Sequence, residues 1–122
     1  MRPEILYLTD MVEAADAIAR FLAEIEKSTF LDDELRRSAV LQKLIVIGEA
    51  ASRLSDEFRA QHPEIKWKGA MGLRNIGVHE YFGVNWEIVW DTVNQDIPIM
   101  REQIAAILAA DYPDQDEAAN SG

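Results

Sequence analysis

Apolar residues recur at steps of three and four along nearly the whole chain, and this spacing constrains the fold more than any other feature. One series runs from Tyr7 to Ile25, a second from Leu35 to Phe58 and a third from Val89 to Leu108. Such steps place apolar side chains on one face of an α-helix, whereas a half-buried strand would alternate apolar and polar residues. Strand-like alternation and two-residue hairpin turns are absent from the sequence. The pattern therefore predicts an all-α fold.

Capping residues and prolines predict where the helices end. The first helix is expected to reach Lys27, and a polar break at Thr29–Asp33, with aspartates suited to capping, precedes a second helix of about seven turns. Pro63 should stop that helix, because the residue before a proline disfavours helical geometry. Asn85 can cap the last helix, in which Pro98 should produce a kink. The prediction is an antiparallel bundle of four main helices with a short extra helix.

Charge and composition exclude several classes of function. The 122-residue chain carries a net charge of −10 and no cysteine, which excludes disulfides, cysteine nucleophiles and a broad polyanion-binding surface. No apolar run approaches the roughly 18 residues of a membrane span. We expect a cytoplasmic protein that has neither DNA nor a membrane as partner. Residues 1–110 are predicted to form one domain, and the acidic residues 111–122 a disordered tail.

The one basic window of this acidic chain runs from Ile65 to His79. It contains Lys66, Lys68 and Arg74 and no acidic residue. This is the place where a phosphate could bind, and the two lysines are candidate phosphate contacts.

The segment from Arg74 to Tyr81, expected on the short helix around residues 71 to 78, combines groups that can handle a phosphodiester. A guanidinium offers forked donors to phosphate oxygens, and the imidazole of His79 can exchange a proton near neutral pH. This pair requires no metal and no cofactor. On an ideal helix Arg74 and His79 would lie about 140° apart. Either the helix breaks near Gly77, or the site combines two chains of a dimer.

Residues 40–47 also point to a dimer, since they are apolar on nearly every side of their helix and a second chain could cover them. Asn75 and Glu49 are supporting candidates, the latter because an acid lies in a stretch of small residues. Structural roles compete with these interpretations. His79 could be a hydrogen-bonded structural residue, Arg74 a surface ion pair, and Glu49 a salt bridge, with Arg74 as one possible partner.

The pattern Arg-Asn-x-x-x-His-x-Tyr, formed by Arg74, Asn75, His79 and Tyr81, resembles the signature of the HepT-like branch of the HEPN superfamily. The resemblance covers about residues 4 to 108. Flanking segments typical of that branch are Ile47-Gly48-Glu49-Ala50, Pro63-Glu64-Ile65-Lys66-Trp67, Gly72-Leu73, Trp90 and Asp96-Ile97-Pro98. Asn85 departs from it, because the branch commonly has Asp there; either residue can cap a helix.

The resemblance implies a homodimer of HEPN-like four-helix bundles that acts as a metal-independent RNA endonuclease, the toxin of a two-gene toxin–antitoxin system. The partner would be a minimal nucleotidyltransferase antitoxin of the MntA-like type. Arg74 and His79 would be catalytic, and Tyr81 would accept AMP from the antitoxin. A second hypothesis is a non-catalytic HEPN module that binds the nucleotidyltransferase and accepts AMP without cutting RNA. A third, a small-ligand-binding bundle, is favoured only by the glycine-rich loop.

Overall fold

The computed structural model of the protein describes residues 3–76 and 83–113. Within these ranges the chain forms helices and no strand, which confirms the predicted all-α bundle. The α-helices are α1 (Glu4–Phe21), α2 (Lys27–Asp32), α3 (Glu34–Arg53), α4 (Asp56–Gln61), α5 (Trp67–Gly72), α6 (Trp86–Asp91) and α7 (Ile97–Asp111). A 3₁₀ turn, Leu73–Asn75, follows α5, and a π-helical segment, Thr92–Asp96, joins α6 to α7. In this part of the chain no helix combines the length and apolar character needed to cross a membrane.

The core lies between the three long helices, with α1 packed against both α3 and α7. Their apolar stripes supply its most buried side chains, and the spacing of three and four residues explains why one face of each helix is covered. The largest fully buried members from these helices are Leu8, Met11, Ile18, Val40, Leu44, Ile47 and Ile104.

An aromatic cluster fixes α6 against α2. Phe30, which has no exposed surface, packs its ring 6.3 Å from Trp86 and 5.4 Å from Trp90, measured between ring centroids. The Arg37 guanidinium lies 5.2 Å over the Trp86 ring, a cation–π geometry. The tryptophans of α6 therefore serve helix packing.

The first two helix boundaries were predicted wrongly. The first helix ends at Phe21, and Lys27–Asp32, assigned largely to a polar break, is helical. Glu24, between α1 and α2, has a φ of 61°, which is incompatible with a continuing right-handed helix. The buried side chain of Phe30 then anchors α2 to the core.

The predicted seven-turn helix is also divided. α3 ends at Arg53, and Ser55 starts a new helix because its hydroxyl accepts a hydrogen bond from the Phe58 N–H at 3.0 Å. At the other end of α3, the Asp33 carboxylate accepts from the Arg36 N–H, which confirms the predicted cap. This backbone hydrogen bond is the main reason that the pKa of Asp33 lies below its usual value.

The start of α6 confirms the predicted cap at Asn85, whose side-chain oxygen accepts from the Glu87 and Ile88 N–H groups. The π-helical segment ends two residues before Pro98, and the N–H of Ile97, the residue that follows it, donates to the Thr92 carbonyl. Pro98 lies in the first turn of α7, where its missing N–H is tolerated. Residues 114–122 of the predicted tail lie outside the described residues, so the domain boundary stays a prediction.

Candidate active site

The 3₁₀ turn after α5 carries the first half of the predicted motif. Arg74 and Asn75 lie on this turn with exposed side chains. The short helix predicted around residues 71 to 78 is wrongly placed, because the α-helix of this segment runs from Trp67 to Gly72 and a 3₁₀ turn follows it. His79 and Tyr81 lie outside the described residues, and their predicted roles stay predictions.

Gly48 sets how closely this turn approaches α3. A Cβ atom placed on Gly48 would lie 2.2 Å from the Arg74 backbone nitrogen and 2.9 Å from both the Arg74 Cα and the Leu73 carbonyl carbon. Real Cβ atoms do not come this close to backbone atoms, so only glycine permits the contact. Its carbonyl oxygen also accepts a hydrogen bond from the Ser52 hydroxyl at 2.8 Å. The backbone of Arg74 therefore lies directly on the surface of α3.

The role of Gly48 was not predicted from the sequence. The available signal was a glycine inside an apolar helix, which costs about 1 kcal/mol relative to alanine unless packing requires it.

The basic residues of the predicted phosphate window differ from four other arginines that the structure describes. Arginines 36, 53, 59 and 101 each form an ion pair with a carboxylate. Within the described residues, the exposed side chains of Arg74, Lys66 and Lys68 make no such pair. These three cations are therefore not neutralised by described neighbours.

Glu49 forms the salt bridge that its structural interpretation predicted, but the partner is different. Its carboxylate lies 3.8 Å from the Arg53 Nε, one helical turn away, so the suggested pairing with Arg74 is wrong. The reason is the helix register: residues four apart on α3 meet on its surface. Both side chains are at least half exposed, and the pair adds little to stability.

The buried side chain of Trp67 fixes the backbone between the two lysines. Trp67, which lies between them in the chain, packs edge-on against Phe58, and its indole N–H donates to the His62 carbonyl at 2.9 Å. Lys66 and Lys68 consequently remain exposed on either side of a fixed residue.

A cleft of about 270 Å³ lies between α5 and the α6–α7 region, and we call it the α5–α7 cleft. Leu73, the residue before Arg74, forms part of its wall, as do Lys66 and Asp96. The sequence analysis did not find this cleft, because it depends on how α7 packs beside α5. Among the described residues, no group of three or more His, Asp or Glu side chains is placed to hold a metal ion.

Comparison with known proteins assigns the family. A family model described as "Ribonuclease HepT-like" matches residues 11–107. The chain belongs to the HepT-like ribonuclease family. This result confirms both the family and the enzyme class, ribonuclease, that the motif predicted.

Several curated proteins are similar over most of their length. One from Thermococcus cleftensis, named "Probable ribonuclease HepT", is 39% identical over 78% of this HepT-like chain and 86% of its own. Two from Methanocaldococcus jannaschii are named "Putative RNase MJ0127", 36% identical over 91% of both chains, and "Putative RNase MJ1380", 33% identical over 83% of this chain and 93% of its own. No solved structure matches the chain with significance.

The contact at Gly48 predicts opposite effects for two glycine-to-alanine substitutions. Gly48→Ala should lower the thermal unfolding midpoint by about 4 °C or more, because overpacking against backbone typically costs about 1–3 kcal/mol. Gly72→Ala is the matched control, since Gly72 has helical dihedral angles and nothing lies within 4 Å of an added Cβ. It should stabilise the protein slightly. Thermal melts followed by circular dichroism test this prediction. An equal rise in the unfolding midpoint of both variants would contradict the close contact at Gly48.

Proposed function

We propose that this HepT-like chain is a metal-independent RNA endonuclease and the toxin of a toxin–antitoxin pair, with Arg74 and His79 as its catalytic residues. The observation that carries the proposal is an exposed guanidinium, unpaired within the described residues, on a turn that packs directly on α3. Family membership and the names of the relatives support ribonuclease activity. RNA in the cytoplasm is the expected substrate.

The proposed reaction is an intramolecular transesterification. His79 accepts the proton of an RNA 2′-hydroxyl, and the 2′-oxygen attacks the adjacent phosphorus. The bond from phosphorus to the 5′-oxygen breaks, and an imidazolium donates a proton to that leaving oxygen. The products are a 2′,3′-cyclic phosphate and a 5′-hydroxyl. Arg74 donates hydrogen bonds to the non-bridging oxygens, where negative charge accumulates in the transition state.

Four residues near Arg74 are proposed to support the reaction. Lys66 and Lys68 are proposed contacts to neighbouring RNA phosphates, since both are exposed on the turn and helix that lead to Arg74. Glu49 and Asn75 lie next to Gly48 and Arg74 in the chain, and we propose that they support the site.

A homodimer would allow the proton donor and acceptor to come from different chains. Within the apolar stretch 40–47, Val40, Leu44 and Ile47 are fully buried in the core, while Ile45 and Val46 retain partial exposure. A second copy covering this flank of α3 would bury them and bring two motif segments together. Light scattering at micromolar concentration should give twice the chain mass of 13.8 kDa. A monomer mass would contradict the composite site.

Control of the toxin is proposed to act through Tyr81. A minimal nucleotidyltransferase partner would transfer AMP from ATP to the phenol oxygen and release pyrophosphate. The added group carries negative charge and bulk two residues from His79, where it would repel the RNA phosphate and attract Arg74.

Purified protein should cleave single-stranded RNA in the presence of EDTA and leave 2′,3′-cyclic phosphate ends. Arg74→Ala and His79→Ala should each slow cleavage by roughly 100-fold or more, because each removes a group that acts in the transition state. The helical circular dichroism spectrum of Arg74→Ala should not change, since the side chain is exposed. Arg20→Ala, an exposed arginine at the end of α1, is the matched control and should cleave normally. Strict dependence on added metal would refute the proposal.

Tyr81→Phe should retain most of the ribonuclease activity but escape control, because phenylalanine keeps the ring and lacks the hydroxyl that accepts AMP. Incubated with the nucleotidyltransferase and ATP, the unaltered protein should gain AMP and lose activity, as measured by intact mass and cleavage assays. Equal AMP addition to Tyr81→Phe would place the acceptor elsewhere. An inactive but folded Tyr81→Phe would place the hydroxyl in catalysis, and AMP addition without any cleavage would favour the non-catalytic module.

A further inference from the structure

The α5–α7 cleft shares a wall with the turn that carries Arg74. Along this wall Lys66, Gly69, Ala70 and Leu73 follow one another at helical spacing, and Arg74 comes next in the chain. The ammonium group of Lys66 is exposed at one end of this wall. A nucleotide bound here would therefore be next to the proposed cleavage site.

The walls of the cleft are apolar apart from a few polar groups. Ile97 and Met100 line it as buried residues, while Ile99 is 61% exposed and offers an accessible apolar contact. The volume of about 270 Å³ is just below the roughly 300–1,000 Å³ of pockets for drug-sized ligands. The cleft is therefore suited to one flat group of the size of a nucleobase.

Five polar or charged residues line the cleft, Glu64, Lys66, Thr92, Asp96 and Gln103, and two of them come from the π-helical segment. Thr92 and Asp96 are the first and last residues of the π-helical segment, and both line the cleft. π-helical turns frequently occur at functional sites. Gln103 also lines the cleft, and its amide nitrogen is held by donation to the Glu64 carbonyl at 3.0 Å.

We propose that the α5–α7 cleft binds a guanine base of the RNA substrate, with Asp96 as the residue that recognises it. This inference rests on the proposed function. Bases in single-stranded RNA are recognised by apolar contact with their faces and hydrogen bonds to their edges. Guanine presents two adjacent donors, N1–H and the N2 amino group, which match the two oxygens of a carboxylate. Adenine and cytosine present a ring acceptor beside their amino group, and this acceptor would repel Asp96.

Charge also favours a base over a phosphate at Asp96. The carboxylates of Asp96 and Glu64, which both line the cleft, would repel a phosphate inside it, whereas Lys66 on the wall that leads to Arg74 would attract one. The cleft thus orients a nucleotide with its base toward α7 and its phosphate toward the motif. An apolar side chain of a protein partner would gain nothing from Asp96, so substitution of this residue separates the two occupants.

Cleavage of matched oligonucleotides tests the proposal. Each carries one central guanine, inosine or adenine in an otherwise uridine-only strand; inosine lacks the N2 amino group. The unaltered protein should cleave the guanine strand roughly 10-fold faster than the other two, in line with the discrimination of a bidentate contact. Asp96→Asn should abolish this preference while cleavage of the adenine strand remains. Asp91→Asn, an exposed aspartate outside the cleft, is the matched control and should keep the preference.

Binding of free guanosine monophosphate separates this proposal from the ribonuclease proposal. In NMR titrations guanosine monophosphate should shift the amide signals of Gly69 and Ala70. Adenosine monophosphate should bind more weakly, and guanosine monophosphate should bind Asp96→Asn with an affinity at least about 5-fold lower than its affinity for the unaltered protein. Guanine-selective binding without cleavage of any RNA would support the guanine site and refute the ribonuclease. Cleavage with no guanine preference, or a preference unchanged in Asp96→Asn, would overturn the guanine site and leave the ribonuclease intact.

Discussion

Close packing between α3 and the 3₁₀ turn at Gly48 is the contact on which the rest of the proposed site depends. It brings the Arg74 backbone onto a long core helix, so the guanidinium projects from a fixed point although the turn itself is short. Catalytic groups need positions accurate to fractions of an ångström, and rigid elements supply this better than loops. A glycine that would weaken an ordinary helix is the physical basis of this arrangement.

The charge distribution explains how a protein with a net charge of −10 can act on RNA. Most of its described arginines are paired with carboxylates on the same helix or a neighbouring one, whereas Arg74, Lys66 and Lys68 are exposed without such pairs among the described residues. These three cations lie close together in the chain, so they form one local surface that would attract phosphate. We expect RNA to bind at this surface, whereas the protein as a whole should have little general affinity for nucleic acid. The reason is that an acidic protein releases few counterions when it binds a polyanion.

Sequence patterns predicted the elements whose causes are local. The caps at Asp33 and Asn85 form because short polar side chains accept backbone N–H groups a few residues ahead. The breaks after Phe21 and Arg53 were missed, since the apolar spacing continues across both and competing local signals, such as the Ser55 cap, decide the outcome.

The motif likewise predicted Arg74 and Asn75 as site residues, and the structure places both on the exposed 3₁₀ turn, while their roles stay predictions. The contact with Gly48 and the α5–α7 cleft could not be predicted, because each depends on how helices distant in sequence pack together. The most direct test of the account is a double-mutant cycle on single-turnover RNA cleavage by Gly48→Ala, Arg74→Ala and the double variant. If Gly48 acts by positioning Arg74, Gly48→Ala should slow cleavage strongly when Arg74 is present. It should have hardly any effect when it is added to Arg74→Ala. Additive losses would contradict the account, because Gly48 would then act independently of the arginine.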